Sequence, residues 1–196
     1  MNENLSAKYW DNRYLNDDFG WDLGQISPPL KAYFDQLTNK KLFILIPGAG
    51  NSYEAEYLVN NGFENVYVCD FAEQPLKNLL KRCPKIKEEH LLLSDFFEIT
   101  NLKFDLIIEQ TFFCAISKSL RKKYFNKVHE LLNPAGKLVG LLFNDVLNED
   151  KPPFGGTKEE YFEYFKTLFK PIVYETAYNS IKPREGREIF INLEKV

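Results

Sequence analysis

The sequence predicts an α/β protein built on a doubly wound, mostly parallel seven-stranded sheet with an antiparallel edge. Three observations point there. Short all-apolar runs alternate with segments of helical periodicity through residues 41–143, and strands that read as continuous apolar runs are those covered on both faces. The first three runs stop at Pro47, Asp70 and Asp95, so each ends at a turn. The last two β-type segments are joined by a short Pro- and Gly-containing turn, so they must pair antiparallel at the side of the sheet.

Taken in order, KLFILIPGAG is the first strand and its glycine turn, and residues 53–61 form a helix with a C-terminal stop at Gly62. ENVYVCD is the second strand, residues 72–83 a helix ended by Pro84, and HLLLSD the third strand. FDLIIEQ is the fourth. Residues 119–132 carry Leu120, Tyr124, Val128 and Leu131 on one helical stripe, broken by the following NPAG. KLVGLLF is the fifth strand. A helix over 157–169 opens with Thr157 and Glu160 spaced as a capping box, and PIVYETAYNSI and REIFINLEKV close the sheet around the turn KPREG.

At 196 residues the chain suits one domain, 1–196. Its net charge of −3 excludes a broad electropositive face for nucleic acid. The basic stretch 118–123 reads as the solvated face of a helix. Three scattered cysteines form neither a disulfide framework nor a zinc site, which points to a reducing cytoplasm. No apolar run approaches the roughly 20 residues of a membrane span, and the leading residues lack the apolar core of a signal peptide. His90 and His129 have no partner at metal-ligand spacing, so no metal is expected.

In a doubly wound sheet, ligands bind at the carboxyl ends of the strands. Gly48-Ala49-Gly50 follows strand one directly, and Asp70 ends strand two 20 residues after Gly50. Glycines let a ligand approach the backbone, and an ionised carboxylate accepts from both hydroxyls of a ribose. Tyr53 stands where a dinucleotide site needs its third glycine, and the loop has no P-loop lysine. A nucleoside cofactor without phosphates fits better.

Asp95 and Phe96 end strand three. They either meet an adenine, by hydrogen bond and by stacking, or cap the next turn and fill core. Glu109-Gln110-Thr111-Phe112-Phe113-Cys114 after strand four reads as a pocket wall, with Phe113 open to a plain core role. Both tryptophans, Trp10 and Trp21, lie in the leading segment 1–30, outside the alternating pattern. That segment is either a lid that buries a cofactor or a hydrophobic cover for the sheet.

On YWDNRY with Gly20-Trp21, IPGAGNSYEAEYL, VCD, SDFFEI, FDLIIEQTFFCAI, the helix start 121–124, NPAGKLVGLLF, PPFGG and GREIF, the chain resembles the thiopurine S-methyltransferase superfamily, nearly end to end, and especially its halide and thiol methyltransferase branch. The resemblance implies a Rossmann-like class I methyltransferase that binds S-adenosyl-L-methionine. It implies a cofactor held by Trp10 and Trp21 from the lid, Gly48 and Gly50, Asp70 at the ribose, Asp95 and Phe96 at the adenine, and Gln110 at the methionine end. Tyr14 stands where many relatives have a second Trp, and Gln110 where the halide branch tends to have Tyr. Arg121 matches a family arginine by motif position: it either attracts an anionic acceptor, as a catalytic residue, or is a solvated helix-start cation.

The implied reaction moves a methyl group to a small thiol, thiopurine or halide-like anion, by a monomer or weak homo-oligomer. A thiol with a pKa of about 8.5 is already partly thiolate at neutral pH and requires no strong base. Two alternatives stand beside it: O- or N-methylation of a small metabolite, with Glu109 or a lid tyrosine as base, and a cofactor-binding module without turnover.

Overall fold

The computed structural model describes residues 5–196. The first four residues of the expected lid lie outside the described residues. The strands are β1 (Phe43–Pro47), β2 (Asn65–Asp70), β3 (Leu91–Leu93), β4 (Phe104–Gln110), β5 (Leu132–Phe143), β6 (Phe169–Thr176) and β7 (Glu188–Lys195). They form one sheet in the order β3-β2-β1-β4-β5-β7-β6. β1 to β5 run parallel, and β7 is antiparallel to both β5 and β6. The seven-stranded sheet with its antiparallel edge is as the sequence predicts.

The apolar runs bury both faces because side chains alternate across a strand. In β1, Ile44 and Ile46 face α2 (Pro28–Phe34), α3 (Tyr53–Asn60) and α4 (Glu73–Arg82), whereas Leu45 faces the side of α5 (Arg121–Leu131) and α6 (Lys158–Phe165). One helical layer therefore covers each face. The reversal at β1/β4 leaves a crevice at the carboxyl ends of the parallel strands. β7 runs the other way, so its first residues, not its last, reach that same edge.

Three local departures have physical causes. NPAG ends α5 as expected, but no loop follows: Leu132 already pairs with Phe104, and the ladder shifts register before Lys137 pairs with Leu106. The last carbonyls of α5 are satisfied by lysines, with Lys103 Nζ donating to Glu130 O at 2.5 Å and Lys195 Nζ to His129 O at 2.7 Å. Helix α6 stops at Phe165, and Phe169 opens β6. Only half of the capping box forms: Thr157 accepts from Glu160 N at 3.2 Å, while the Glu160 carboxylate turns away to Arg121.

The leading segment is helical. In α1 (Ala7–Leu15) the Ser6 side chain accepts from Tyr9 N, and α2 begins at Pro28 after Ser27. Proline at the first helical position lacks the N–H that would be orphaned there anyway. Among the described residues no helix is long and apolar enough to cross a membrane, and no cluster of residues fit to hold a metal ion occurs.

Candidate active site

A cavity of about 480 Å³ lies along the crevice. Its floor is the carboxyl edge of the sheet, and the order of the strands fixes what lies where: Asp95 and Phe96 after β3, Asp70 after β2, Gly48 and Gly50 after β1, Gln110 after β4, and Phe143, Arg184 and Arg187 around the ends of β5 and β7. Trp10, Tyr14 and Trp21 from the leading segment close it from above. All nine residues expected at the cofactor therefore border one cavity.

The glycine turn is shaped by its neighbours. Gly48 and Gly50 have φ of +70° and +51°, in the left-handed region that favours glycine. A Cβ on Gly48 would stand 2.6 Å from Cδ2 of Phe112, so the β1 and β4 turns touch only because that atom is missing.

Asp70 Oδ2 accepts from Ala49 N at 2.9 Å and Oδ1 from Ala72 N at 2.8 Å. Each oxygen keeps further acceptor capacity toward the cavity. Burial pushes this carboxyl up to about 6, against the opposing pull of those two N–H groups, with Asp11 of the lid helix adding to the rise. Asp95 Oδ1 accepts from Phe97 N at 2.9 Å, and Phe96 is 3% exposed within the core. The capping and core roles of this pair are thus real, and both residues border the cavity as well.

The turn after β4 is the most constrained part of the wall. Thr111 has φ of 61°, a conformation costing a β-branched residue about 1–3 kcal/mol. Glu109 beneath it is fully buried. Its Oε1 accepts from Phe112 N at 2.8 Å and Phe113 N at 2.9 Å, and its Oε2 from the Tyr124 hydroxyl at 2.7 Å. Loss of solvent pushes the Glu109 carboxyl up to about 7. Gln110, Thr111, Phe112 and Cys114 border the cavity, whereas Phe113 packs in the core.

A family model described as "Thiopurine S-methyltransferase (TPMT)" matches residues 5–195. The chain belongs to the thiopurine S-methyltransferase family. It is 28% identical over 193 residues to a probable thiol methyltransferase 2 of Arabidopsis thaliana, covering 96% of this chain and 84% of that one. It is 28% identical over 177 residues to a thiopurine S-methyltransferase of Vibrio campbellii, with 81% of each chain covered. Its fold is similar to that of the Burkholderia thailandensis 1,6-didemethyltoxoflavin-N1-methyltransferase, solved with bound 1,6-didemethyltoxoflavin and S-adenosylhomocysteine. The TM-score is 0.77 at 18% identity, over 97% of this chain and 87% of the other.

As a thiopurine S-methyltransferase family member, the chain is an S-adenosylmethionine-dependent methyltransferase, and its residues fit that cofactor. Gln110 borders the cavity, and its Oε1 is buried without a hydrogen-bond partner, a state that is costly unless something pairs with it. The charges agree. Arg13, Arg184 and Arg187 border the cavity, but each is neutralised by its own carboxylate, Asp18, Glu188 and Asp145. Asp70 and Asp95 accept from backbone N–H groups. The end of the cavity that holds Asp70 and Asp95 therefore favours a cationic ligand over an anionic one.

Arg121 requires a correction. Its side chain is 0% exposed, and it does not border the cavity. The guanidinium donates to Glu160 at 2.9 Å, Gly155 O at 2.9 Å and Phe154 O at 3.2 Å, and it lies over the Phe113 ring at 4.9 Å. It is neither an anion attractor nor a solvated cation; it anchors the segment after β5. Arg13, Arg184 and Arg187 do reach the cavity; Arg184 lies within the KPREG turn and Arg187 directly follows it, a segment whose Pro and Gly predict only a turn. Arg184 also donates to Trp21 O at 2.7 Å, tying the turn before β7 to the leading segment.

Proposed function

We propose that this enzyme methylates a small sulfur nucleophile, a thiol or thiopurine, or a halide-like anion, at the β5/β7 end of the cavity. One observation carries the reading: among the described residues, that end holds no general base. Cys114, Ala115, Ile116, Phe143, Leu147, Pro152, Pro153, Arg184 and Arg187 form it. Loss of solvent pushes the Cys114 thiol up to about 12. Glu109 is sealed behind the turn with both oxygens engaged. Burial and the nearby Asp70 hold the Tyr14 hydroxyl well above its ordinary value. An acceptor must therefore arrive with its electron pair already available, which suits a thiolate and disfavours an alcohol or an ammonium.

When bound, S-adenosylmethionine supplies a methyl group already activated for in-line displacement. The chain's residues bind, orient and exclude water. Asp70 accepts from the ribose hydroxyls, Asp95 from the adenine amino group, and Gln110 Oε1 from the ammonium of the methionine end. Trp10, Tyr14 and Trp21 cover the site. Positioning is the larger contribution in such a reaction, since oriented reactants react with effective molarities of about 10⁵ M or more. Arg184 and Arg187 keep N–H donors beyond those used by their carboxylates, so they suit an anionic acceptor.

The same reading makes residues 1–196 one domain with 1–30 as its lid, acting as a monomer or weak homo-oligomer. It places the enzyme in the cytoplasm, where three buried unpaired thiols, Cys69, Cys83 and Cys114, stay reduced.

Incubation with S-adenosylmethionine and a panel of bisulfide, iodide, thiocyanate, aromatic thiols, thiopurines, phenols and amines tests the assignment through the S-adenosylhomocysteine formed. Thiols, thiopurines or the inorganic anions are expected to turn over, while phenols and amines do not. Comparable turnover of a phenol or amine would overturn the sulfur assignment. Binding of S-adenosylhomocysteine with no turnover of any acceptor would make the chain a binding module.

A pH dependence follows from Asp70. Its carboxyl is ionised only above about pH 6, and the ribose hydroxyls need an ionised acceptor. Affinity for S-adenosylhomocysteine is expected to be level above that pH and to fall below it, approaching about tenfold per pH unit. Asp70→Asn should bind weakly at every pH, with the inflection gone. Calorimetric titrations from pH 4.5 to 8 read both, and an inflection that survives in Asp70→Asn would assign it to another group.

A further inference from the structure

We propose that Glu109 is a positioning residue for the cofactor: from behind the cavity wall, its carboxyl group holds the strained turn 110–112 in the one shape that presents Gln110 and Phe112 to the methionine end. The inference rests on the cofactor site described above. Its starting point is a buried carboxyl that does not border the cavity and still accepts two of its three hydrogen bonds from the turn after β4.

The geometry of the turn requires such a tether. Gln110 is the last residue of β4, and Thr111 follows at positive φ, so the backbone reverses without a glycine. The N–H groups of Phe112 and Phe113 then point back into the protein, where both meet Oε1 of Glu109. Buried N–H groups are almost always paired, and here one oxygen pairs two. Without it, the turn loses the bonds that offset the Thr111 conformation.

The neighbouring strand approaches Glu109 closely at a glycine. Gly140 of β5 lies opposite Glu109, and a Cβ there would stand 2.4 Å from Cβ of Glu109 and 2.3 Å from its carbonyl oxygen. From α5, the Tyr124 hydroxyl fixes the second oxygen at 2.7 Å. The titratable groups coupled to Glu109 are Tyr124 on α5 and Cys114 in the turn itself.

The consequence reaches the ligand through two atoms. Gln110 Oε1 is buried and unpartnered, so its direction is set by the backbone turn and not by a side-chain bond within the protein. Phe112 sits against Gly48 so closely that no Cβ fits between them. A small shift of the turn therefore misplaces Gln110 and disturbs the glycine turn together.

Glutamine preserves the tether, because its Oε1 accepts from both N–H groups while Nε2 donates to the Tyr124 oxygen. Methionine fills the same volume with no acceptor. Calorimetry with S-adenosylhomocysteine, the thermal midpoint, and KM against kcat for S-adenosylmethionine are read on wild type, Glu109→Met, Glu109→Gln and Tyr124→Phe, well below every midpoint. Glu109→Met is expected to bind about tenfold or more weakly, with KM raised. Glu109→Gln is expected to bind as wild type does. Tyr124→Phe should lower the midpoint yet keep its affinity, since the two turn bonds remain.

Wild-type affinity in Glu109→Met, or a loss in Tyr124→Phe as large as in Glu109→Met, would overturn the proposal. If Glu109→Met does not fold, Glu109→Asp takes its place: its shorter arm is expected to give the same tenfold loss, and undiminished binding would overturn the idea. Failure of the wild type itself to bind S-adenosylhomocysteine would instead overturn the cofactor site on which the proposal stands.

Discussion

Replacing Arg121 by Met is expected to lower the thermal midpoint by about 6–12 °C while leaving the affinity for S-adenosylhomocysteine unchanged. The guanidinium is wholly buried and bonded to one carboxylate and two carbonyls. Removing one partner of a buried pair costs about 3–5 kcal/mol. Glu160 is 36% exposed and is partly rescued by water, so the lower end applies, about 3 kcal/mol. For a chain of this size each kcal/mol moves the midpoint about 2–4 °C.

The carbonyls of Phe154 and Gly155 lose their donors, and the segment carrying Pro152 and Pro153 loosens at the acceptor end of the cavity. KM for the acceptor should therefore rise with little change in kcat. Steady-state kinetics and a melting curve of the same variant check this. A residue that attracted the acceptor anion would behave oppositely, with an intact midpoint and a kcat/KM for anions that fell and lost its salt dependence.

That contrast marks where the sequence stopped being readable. Gly48, Gly50, Asp70, Asp95, Phe96 and Gln110 were accessible because they end or follow parallel strands, and parallel strands announce themselves as apolar runs. Trp10 and Trp21 stood out as large rings outside the pattern. Arg121 failed because its environment depends on Glu160, 39 residues away, and on a carboxylate diverted from the expected capping box.

Arg184 and Arg187 were within reach, since an antiparallel last strand must bring its start to the same edge as the ends of its parallel neighbours. The Pro and Gly of KPREG predict only the turn itself. The helices α1 and α2 had a signal too, in Ser6 and in Ser27-Pro28-Pro29, masked by the attention the aromatics drew. Glu109 could not be placed from sequence: its pairing with two N–H groups depends on a turn with positive φ at Thr111.

Replacing Trp10 by Ala is expected to lower kcat/KM by about 10²-fold with a midpoint loss of only about 2–4 °C. The leading segment has its own aromatic cluster, in which Trp10 meets Tyr9 at 5.1 Å and Trp21 at 5.5 Å, and Tyr14 meets Trp21 at 5.8 Å. Trp10 and Trp21 belong to neither of the two cores on the faces of the sheet. The lid is docked by polar contacts instead. Asp11 accepts from Gln74 N at 2.9 Å, capping α4 from outside because Ala72 cannot; Arg184 holds Trp21 O; and Asn51 and Tyr53 hold Asp22.

These contacts hold Trp10, Tyr14 and Trp21 over the cavity, while the end of the leading segment, Ile26 and Leu30, packs on the sheet core. Losing the Trp10 ring thus opens the cavity to water and frees the reacting groups, where a misplacement of about 1 Å costs about 10²-fold, while the core is left whole and stability falls by about 1 kcal/mol. Both indoles border the cavity, so intrinsic fluorescence should change when S-adenosylhomocysteine binds, and the segment before Ile26 should gain protection from protease. If Trp10→Ala melts far lower than this, and the parent shows no ligand-dependent protection, the segment is a structural cover for the sheet and water exclusion must be sought elsewhere in the wall.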